Sequence, residues 1–169
     1  MSGVAFRPFL PADAPRCIEI FRSAIEELAS EDYNEEQREA WAARSDDAEA
    51  FAARLAGALT LLAVVDVETA GFVSLKGKDV LDMLYVDPEH ARQGVGAAMI
   101  DAVTKLAQAR GAEKLTSEVS DVAQSLFKKL GFVAERRSLV TLDDQWLAVT
   151  MMTKPLAKTP SPPSSAARH

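Results

Sequence analysis

The chain has 169 residues, 48% of them hydrophobic and 26% charged, a balance that fits one globular domain with a single core. A formal net charge of −6 argues against a nucleic-acid binder, and no apolar stretch is long enough to span a bilayer. The opening MSGVAFRPFLPAD lacks a long apolar run behind a basic start, so no secretory leader is expected. Cys17 is the only cysteine, which rules out an internal disulfide and makes a reducing cytoplasm the expected compartment.

In chain order, Val4 to Phe9 reads as a first strand that Pro11 ends. Asp13 is then placed to cap a helix whose apolar residues Ile18, Phe21, Ile25 and Leu28 recur at helical spacing. Asn34 with Gln37 three residues later has the form of a capping box, opening a short helix through Trp41 and Ala43. Ser45 or Asp46 is expected to cap a further helix carrying Phe51 and Leu55 and ending near Gly57.

Beyond Gly57 the period changes. LTLLAVVDV is a buried strand, VETAG a turn and GFVSLK a second strand, together a hairpin. GKD then turns the chain into VLDMLYV, which stops at Pro88 for want of an amide hydrogen. Residues 94–110 form a helix with Val95, Met99, Ala102, Val103 and Leu106 on one face and Gly111 at its end. A strand (KLTSEV), a helix (VAQSLFKKL) and two strands joined at Asp143-Asp144 follow. The globular domain is therefore placed at 1–154. The Pro- and Ser-rich residues 155–169 are too poor in large apolar side chains to order themselves and are expected to form a flexible tail.

Chemistry concentrates in LDMLYVDPEHARQGVGAAM, residues 81–99. A strand ends at a proline, a polar loop follows, and two glycines open a helix. The first turn of a helix carries unpaired amide hydrogens and partial positive charge, a ready site for phosphate. Gly94 and Gly96 remove side chains where backbone must approach a ligand, and Arg92 adds a permanent charge. Read alone, the two glycines equally fit a loop residue and a close helix contact. A dinucleotide fingerprint is disfavoured by Met99, which stands where a third small residue belongs, and by the preceding hairpin; the Gly-Lys-Ser/Thr of a P-loop is missing.

This stretch resembles motif A of the GNAT acetyltransferase superfamily, and KKLGF at 128–132 resembles the end of its motif B. DYNEEQREAW, with LDMLYVDP, is similar to the YafP-like branch. The resemblance covers about residues 4–154. It implies a mixed α/β fold with a mostly antiparallel sheet of about seven strands, splayed in the middle and flanked by helices. It also implies acetyl-CoA as co-substrate, with Leu84, Tyr85 and Val86 offering backbone groups to the pantetheine arm and Arg92, Gln93, Gly94, Val95, Gly96 and Ala97 wrapping the pyrophosphate. The family's first Gln/Arg loop position falls on Ala91, with Arg92 one step on. Where many members carry a tyrosine that protonates the leaving thiolate, this chain has Phe127. Ser120 stands at the usual asparagine position and can hydrogen-bond the cofactor.

Acetylating an amine first requires a neutral amine. With a pKa near about 10.4, only about one alkylamine molecule in a few thousand is uncharged at neutral pH, a cost of about 4–5 kcal/mol. Asp82 is the candidate base, a charge inside an apolar strand that simple alternation puts on the face of Leu84 and Val86; an edge aspartate or an arginine partner is the competing reading. Tyr33 is a candidate acid in place of Phe127, although a thiol leaves tolerably without one. Tyr33, Gln37 and Trp41 recur every four residues and are expected to contact substrate, against capping for Gln37 and core packing for Trp41. His90 is expected to be a solvated loop residue. No metal is implied, since no ligand-spaced cluster occurs.

The expected function is acetyl transfer from acetyl-CoA to a small-molecule amine by direct attack in a ternary complex. A non-catalytic acyl-CoA sensor and a protein N-acetyltransferase are the alternatives. Neither a nucleic acid nor a membrane is an expected partner, and the chain is expected to be a monomer or homodimer.

Overall fold

Strands β2 (Leu59–Val65), β3 (Glu68–Lys76) and β4 (Val80–Val86) are built from apolar and β-branched residues and lie at the centre of one seven-stranded sheet. β1 (Ala5–Pro8) lies on one edge, and β5 (Lys114–Ser120), β7 (Gln145–Pro155) and β6 (Val133–Leu142) complete the order β1-β2-β3-β4-β5-β7-β6. β4 and β5 pair in parallel and every other neighbouring pair is antiparallel. This computed structural model describes residues 3–157. Among them, no helix is long and apolar enough to cross a membrane.

Residues 70–75 of β3 are all buried, because helices cover both faces of the sheet. On one face α1 (Ala14–Leu28), α2 (Glu35–Ala42) and α3 (Ala48–Ala56) surround a core containing Ile20, Phe21, Phe51, Leu55, Phe72 and Met83. On the other, α4 (Val95–Ala109) and α5 (Gln124–Lys129) pack Val95, Met99, Val103 and Phe127 against Val73, Leu75 and Leu115. A third cluster, Ala29, Tyr33 and Leu147, ties the end of α1 to the β6–β7 hairpin.

The predicted elements recur with local shifts that have physical causes. The first hairpin turns at Asp66-Val67 and not across VETAG; both residues have positive φ (48° and 64°), so β3 begins at Glu68. A two-residue turn with positive φ at both positions normally uses Asn or Gly, and Val67 gives no such sign. The third helix is capped by Asp47, whose side chain accepts from the Ala50 amide at 3.1 Å, one position beyond the expected Asp46. Asp13 occupies the cap position of α1 but binds elsewhere: it accepts from the Leu10 amide and takes two hydrogen bonds from Arg7. The capping box of Asn34 and Gln37 is present in both directions. The domain also extends past 154. Pro155 still pairs with Lys114, and the Leu156 amide donates to the Glu113 carbonyl at 2.9 Å; the remaining tail, 158–169, lies outside the described residues.

Two irregularities position everything that follows. β4 and β5 are in register only at Val80 and Thr116. One residue later Ser117 Oγ, not a backbone amide, donates to the Leu81 carbonyl at 2.8 Å. β4 continues to pair with β3 as far as Val86, and β5 with β7 as far as Ser120, so the two inner edges diverge with no ladder between them. The second irregularity is a bulge in β4. Ser74 pairs with Met83 and Leu75 with Leu81, leaving Asp82 as the extra residue. Alternation resets there: Leu81, Leu84 and Val86 face α4, whereas Asp82, Met83 and Tyr85 face α1 and α3. The expected placement of Asp82 on the face of Leu84 and Val86 is thereby corrected.

Gly71 is where this middle of the sheet is tightest. A Cβ there would lie 2.6 Å from the Tyr85 carbonyl oxygen and 3.1 Å from Met99 Cε. Gly71→Ala is expected to destabilise the fold by about 1–3 kcal/mol, as overpacking does, with a clear fall in Tm on thermal denaturation. An unchanged Tm would mean that β3 and β4 do not approach this closely.

Candidate active site

The polar loop after β4 is braced from beneath. Asp87, 5% exposed, accepts from the Glu89 amide at 3.1 Å and pairs with Arg16 of α1, which also donates to the Thr69 carbonyl at 3.0 Å. His90 is not solvated as expected. Its side chain is only 11% exposed, with Nε2 3.4 Å from Glu68 and Nδ1 3.7 Å from Asp87. The loop then takes two left-handed steps, at Arg92 (φ 63°) and Gly94 (φ 81°), and Gly94 is the N-cap of α4.

This geometry leaves the first-turn amides of Val95, Gly96 and Ala97 ahead of any helical acceptor, because the ladder starts with the Ala98 amide bonded to the Gly94 carbonyl. The two glycines do different things. A Cβ on Gly94 would meet nothing within 4 Å, so that glycine is required by backbone conformation alone. A Cβ on Gly96 would sit 3.0 Å from Leu126 Cδ2, so that glycine lets α5 pack closely on α4. Arg92 and Gln93 are exposed, and the Gln93 amide reaches back towards the Glu89 carbonyl at 3.5 Å.

A cavity of about 840 Å³ opens between the diverging edges of β4 and β5. Leu84, Tyr85, Val86, Ser120 and Phe127 line it together with Arg92, Gly94, Val95, Gly96 and Ala97, so most of the predicted cofactor residues share one space; Gln93 is not among the lining residues. Phe127 is 3% exposed and packs edge-on against Phe132 at 4.9 Å, an apolar wall.

Towards α1–α3 the same cavity reaches Asp82, Arg54, Tyr85, Trp41 and Arg44. Arg54 Nε and Nη2 donate to the two Asp82 carboxylate oxygens at 2.9 and 3.0 Å. That bidentate pair raises the Arg54 pKa above its ordinary value and leaves Asp82 18% exposed. Trp41 Nε1 donates to Tyr85 Oη at 3.1 Å. Burial pushes the Tyr85 hydroxyl above its usual pKa, so it stays protonated and keeps its own proton to donate.

Tyr33 lines the cavity with Trp41, but its hydroxyl, like Gln37, is held by backbone groups. Tyr33 Oη donates to the Ala148 carbonyl at 2.6 Å and accepts from the Asp121 amide at 2.9 Å, while burial pushes its pKa up to about 12. Its only proton is committed to a backbone carbonyl, so Tyr33 joins α1 to β5 and β7, and the acid role expected of it has no free donor. Gln37 completes the capping box and donates to the Trp146 carbonyl at 2.7 Å; it does not line the cavity. Of the three spaced residues, Trp41 alone turns a polar edge towards the cavity's charged end. Arg54, Arg44 and Ser117 escaped sequence reasoning. No local signal marks an arginine in one helix as the partner of a bulged strand residue 28 positions away.

With this arrangement described, comparison with known proteins decides the family. The Acetyltransferase (GNAT) domain profile matches residues 29–156, more than half of the chain. The chain belongs to the GNAT acetyltransferase family. It is 29% identical over 146 residues to the uncharacterised N-acetyltransferase YafP of Escherichia coli K12, covering 86% of this chain and 92% of that protein. The crystal structure of a GCN5-related N-acetyltransferase from Rhodopseudomonas palustris is 51% identical, with a TM-score of 0.90 over 92% of this chain and 98% of that one. The PaiA N-acetyltransferase of Thermoplasma acidophilum, solved with coenzyme A, shares the fold at 22% identity and a TM-score of 0.75, covering 90% and 99% of the two chains. The protein is thus a YafP-like GNAT member and an acetyl-CoA-dependent N-acetyltransferase.

The residues present fit that co-substrate. Three free amides, an adjacent arginine and an open left-handed glycine suit a pyrophosphate, and unpaired strand edges suit an extended amide-bearing arm. Gly94→Ala is expected to weaken acetyl-CoA binding about tenfold, because the left-handed conformation costs an L-residue about 1–2 kcal/mol; titration calorimetry would read it. Tyr33→Phe is expected to lose about 1–3 kcal/mol of stability, since two backbone groups lose their partner. Its pH dependence has a definite sign. A tyrosine whose pKa rises from 10.0 to about 12 on folding stabilises fully below pH 10 and loses that contribution as the pH climbs towards 12. The variant's alkaline decline in Tm should therefore be shallower than the wild type's.

Proposed function

We propose that this GNAT member moves the acetyl group of acetyl-CoA to the amine of a small molecule, by direct attack while both are bound. The observation that carries the reading is the single cavity joining two unlike ends. At one end, free amides and diverging strand edges await a phosphate-bearing extended ligand; at the other, charged and aromatic side chains face a smaller one.

The backbone of Leu84, Tyr85 and Val86 would hold the pantetheine arm along the open edge of β4, and Arg92 with the amides of residues 94–97 would hold the pyrophosphate. Ser120 and the buried Phe127 would form the opposite wall. Bound acetyl-CoA supplies an acetyl group activated as a thioester. The acceptor nitrogen forms the new C–N bond as the C–S bond breaks; the amine gives up a proton and the departing sulfur takes one. Asp82 is the proposed proton acceptor, directly or through one water. Arg54 occupies one lone pair on each of its oxygens, leaving the others for the amine. We assign no side chain to protonating the thiolate. Phe127 lacks a proton to give, Tyr33 has committed its own, and a thiol pKa near about 8.5 makes a tolerable leaving group.

Thiol release from acetyl-CoA over a panel of amines tests the activity, after a thermal shift has registered binding of acetyl-CoA alone. Release that requires an amine supports the reading. Binding without release from any amine would overturn it. Asp82→Asn is expected to lower kcat by about 10²-fold or more and to leave acetyl-CoA affinity nearly unchanged. A full-rate variant would take Asp82 out of the mechanism.

A further inference from the structure

At the acceptor end of the cavity one arginine stands apart from the Arg54–Asp82 pair. Asp82 is matched by Arg54, bidentate at 2.9 and 3.0 Å. Arg44, on the short turn between α2 and α3 (Ala43–Ser45), lines the same cavity, is exposed, and among the described residues has neither ion pair nor hydrogen bond. It follows Trp41 by three residues, and Trp41 Nε1 donates to Tyr85 Oη at 3.1 Å. Arg7 pairs with Asp13, Arg22 with Asp46 and Arg137 with Asp121, whereas exposed Arg92, at the other end of the cavity, and Arg136 have no ion pair among the described residues. In a chain with net charge −6, an arginine left unmatched beside a cavity is conspicuous.

Two further donors point to the same kind of ligand. Tyr85 Oη accepts from Trp41 Nε1, and among the described residues nothing accepts its own proton. Arg54 spends Nε and Nη2 on Asp82 and leaves Nη1 without a partner. Around Tyr85 the cavity thus presents a full guanidinium, a hydroxyl donor and a spare N–H, with Asp82 paired to Arg54; Glu31, Asp32 and Glu118 also line the cavity. A neutral or purely cationic amine would leave these donors unanswered, whereas an anionic oxygen pair matches them.

Resting on the acetyl-transfer reading above, we propose that the acceptor is an amine that also carries a carboxylate, and that Arg44 with Tyr85 Oη forms the subsite for that carboxylate. Arg44 then sets specificity. It anchors the acceptor's anionic end so that the amine lies beside Asp82, and it takes no part in the bond changes.

The test uses the purified full chain, acetyl-CoA, and matched primary amines, each supplied as the free carboxylate and as its carboxamide. Thiol release is followed as kcat/KM. The wild type is expected to favour the carboxylate member of each pair at least tenfold, mainly through KM. Arg44→Ala should reduce that preference to about one, Arg44→Lys should restore part of it, and Tyr85→Phe should lower it several-fold. A Tm within a few degrees of wild type confirms that each variant is folded. Release from both members with equal efficiency, or a preference that survives Arg44→Ala, overturns the carboxylate subsite and leaves acetyl transfer standing. No release from any amine overturns both.

Discussion

Parallel pairing between β4 and β5 holds at only one end, and the rest of the site depends on that. The Thr116 amide reaches the Asp79 carbonyl at 2.9 Å, Ser117 Oγ takes the Leu81 carbonyl, and then the strands separate. Buried backbone groups without partners are costly, so an opening in the middle of a sheet persists only where something else meets them. Here each strand is satisfied on its outer side, β4 by β3 and β5 by β7, and the inner edges line the cavity. Because α4 connects β4 to β5, its N-terminus lies at the end where the strands diverge. The open edges and the free amides therefore face the same cavity.

Charge pairs brace this opening from three directions. Arg54 of α3 grips the bulged Asp82, Arg16 of α1 grips Asp87 at the start of the loop, and Arg137 of β6 holds Asp121 after β5 at 2.8 and 3.0 Å. Their energies are unequal. Arg137 is more than half exposed and adds little to stability, whereas Asp87 is buried and losing its partner would strand a charge. The bulge at Asp82 has a chemical consequence as well. By inserting one residue it turns a carboxylate away from the α4 face and towards Arg54 of α3 in the cavity, while Leu84 and Val86 keep their places against the α4 core.

Much of this could be read from local patterns. The helix over 94–110, the strand VLDMLYV, the capping box of Asn34 and Gln37 and the glycine-opened loop all follow from spacing that neighbouring residues enforce on each other. What failed was decided by distant partners. Tyr33 sits at helical spacing with Gln37 and Trp41, yet its hydroxyl is claimed by Ala148 and Asp121, over 80 residues away. His90 reads as a loop residue, and Glu68 of β3 and Asp87 enclose it. Asp66-Val67 makes a tight turn without the glycine or asparagine that usually announces one.

The amino-acid order by itself determined the elements, the family and the glycine-opened loop before α4, because helix spacing, caps and glycine conformations are set within a few residues. Only the tertiary structure decided which face Asp82 takes, which arginine pairs with it and that Arg44 lines the same cavity. A β-bulge shifts side-chain direction by register against another strand, and an ion pair needs two surfaces brought together. Neither leaves a trace in short-range pattern.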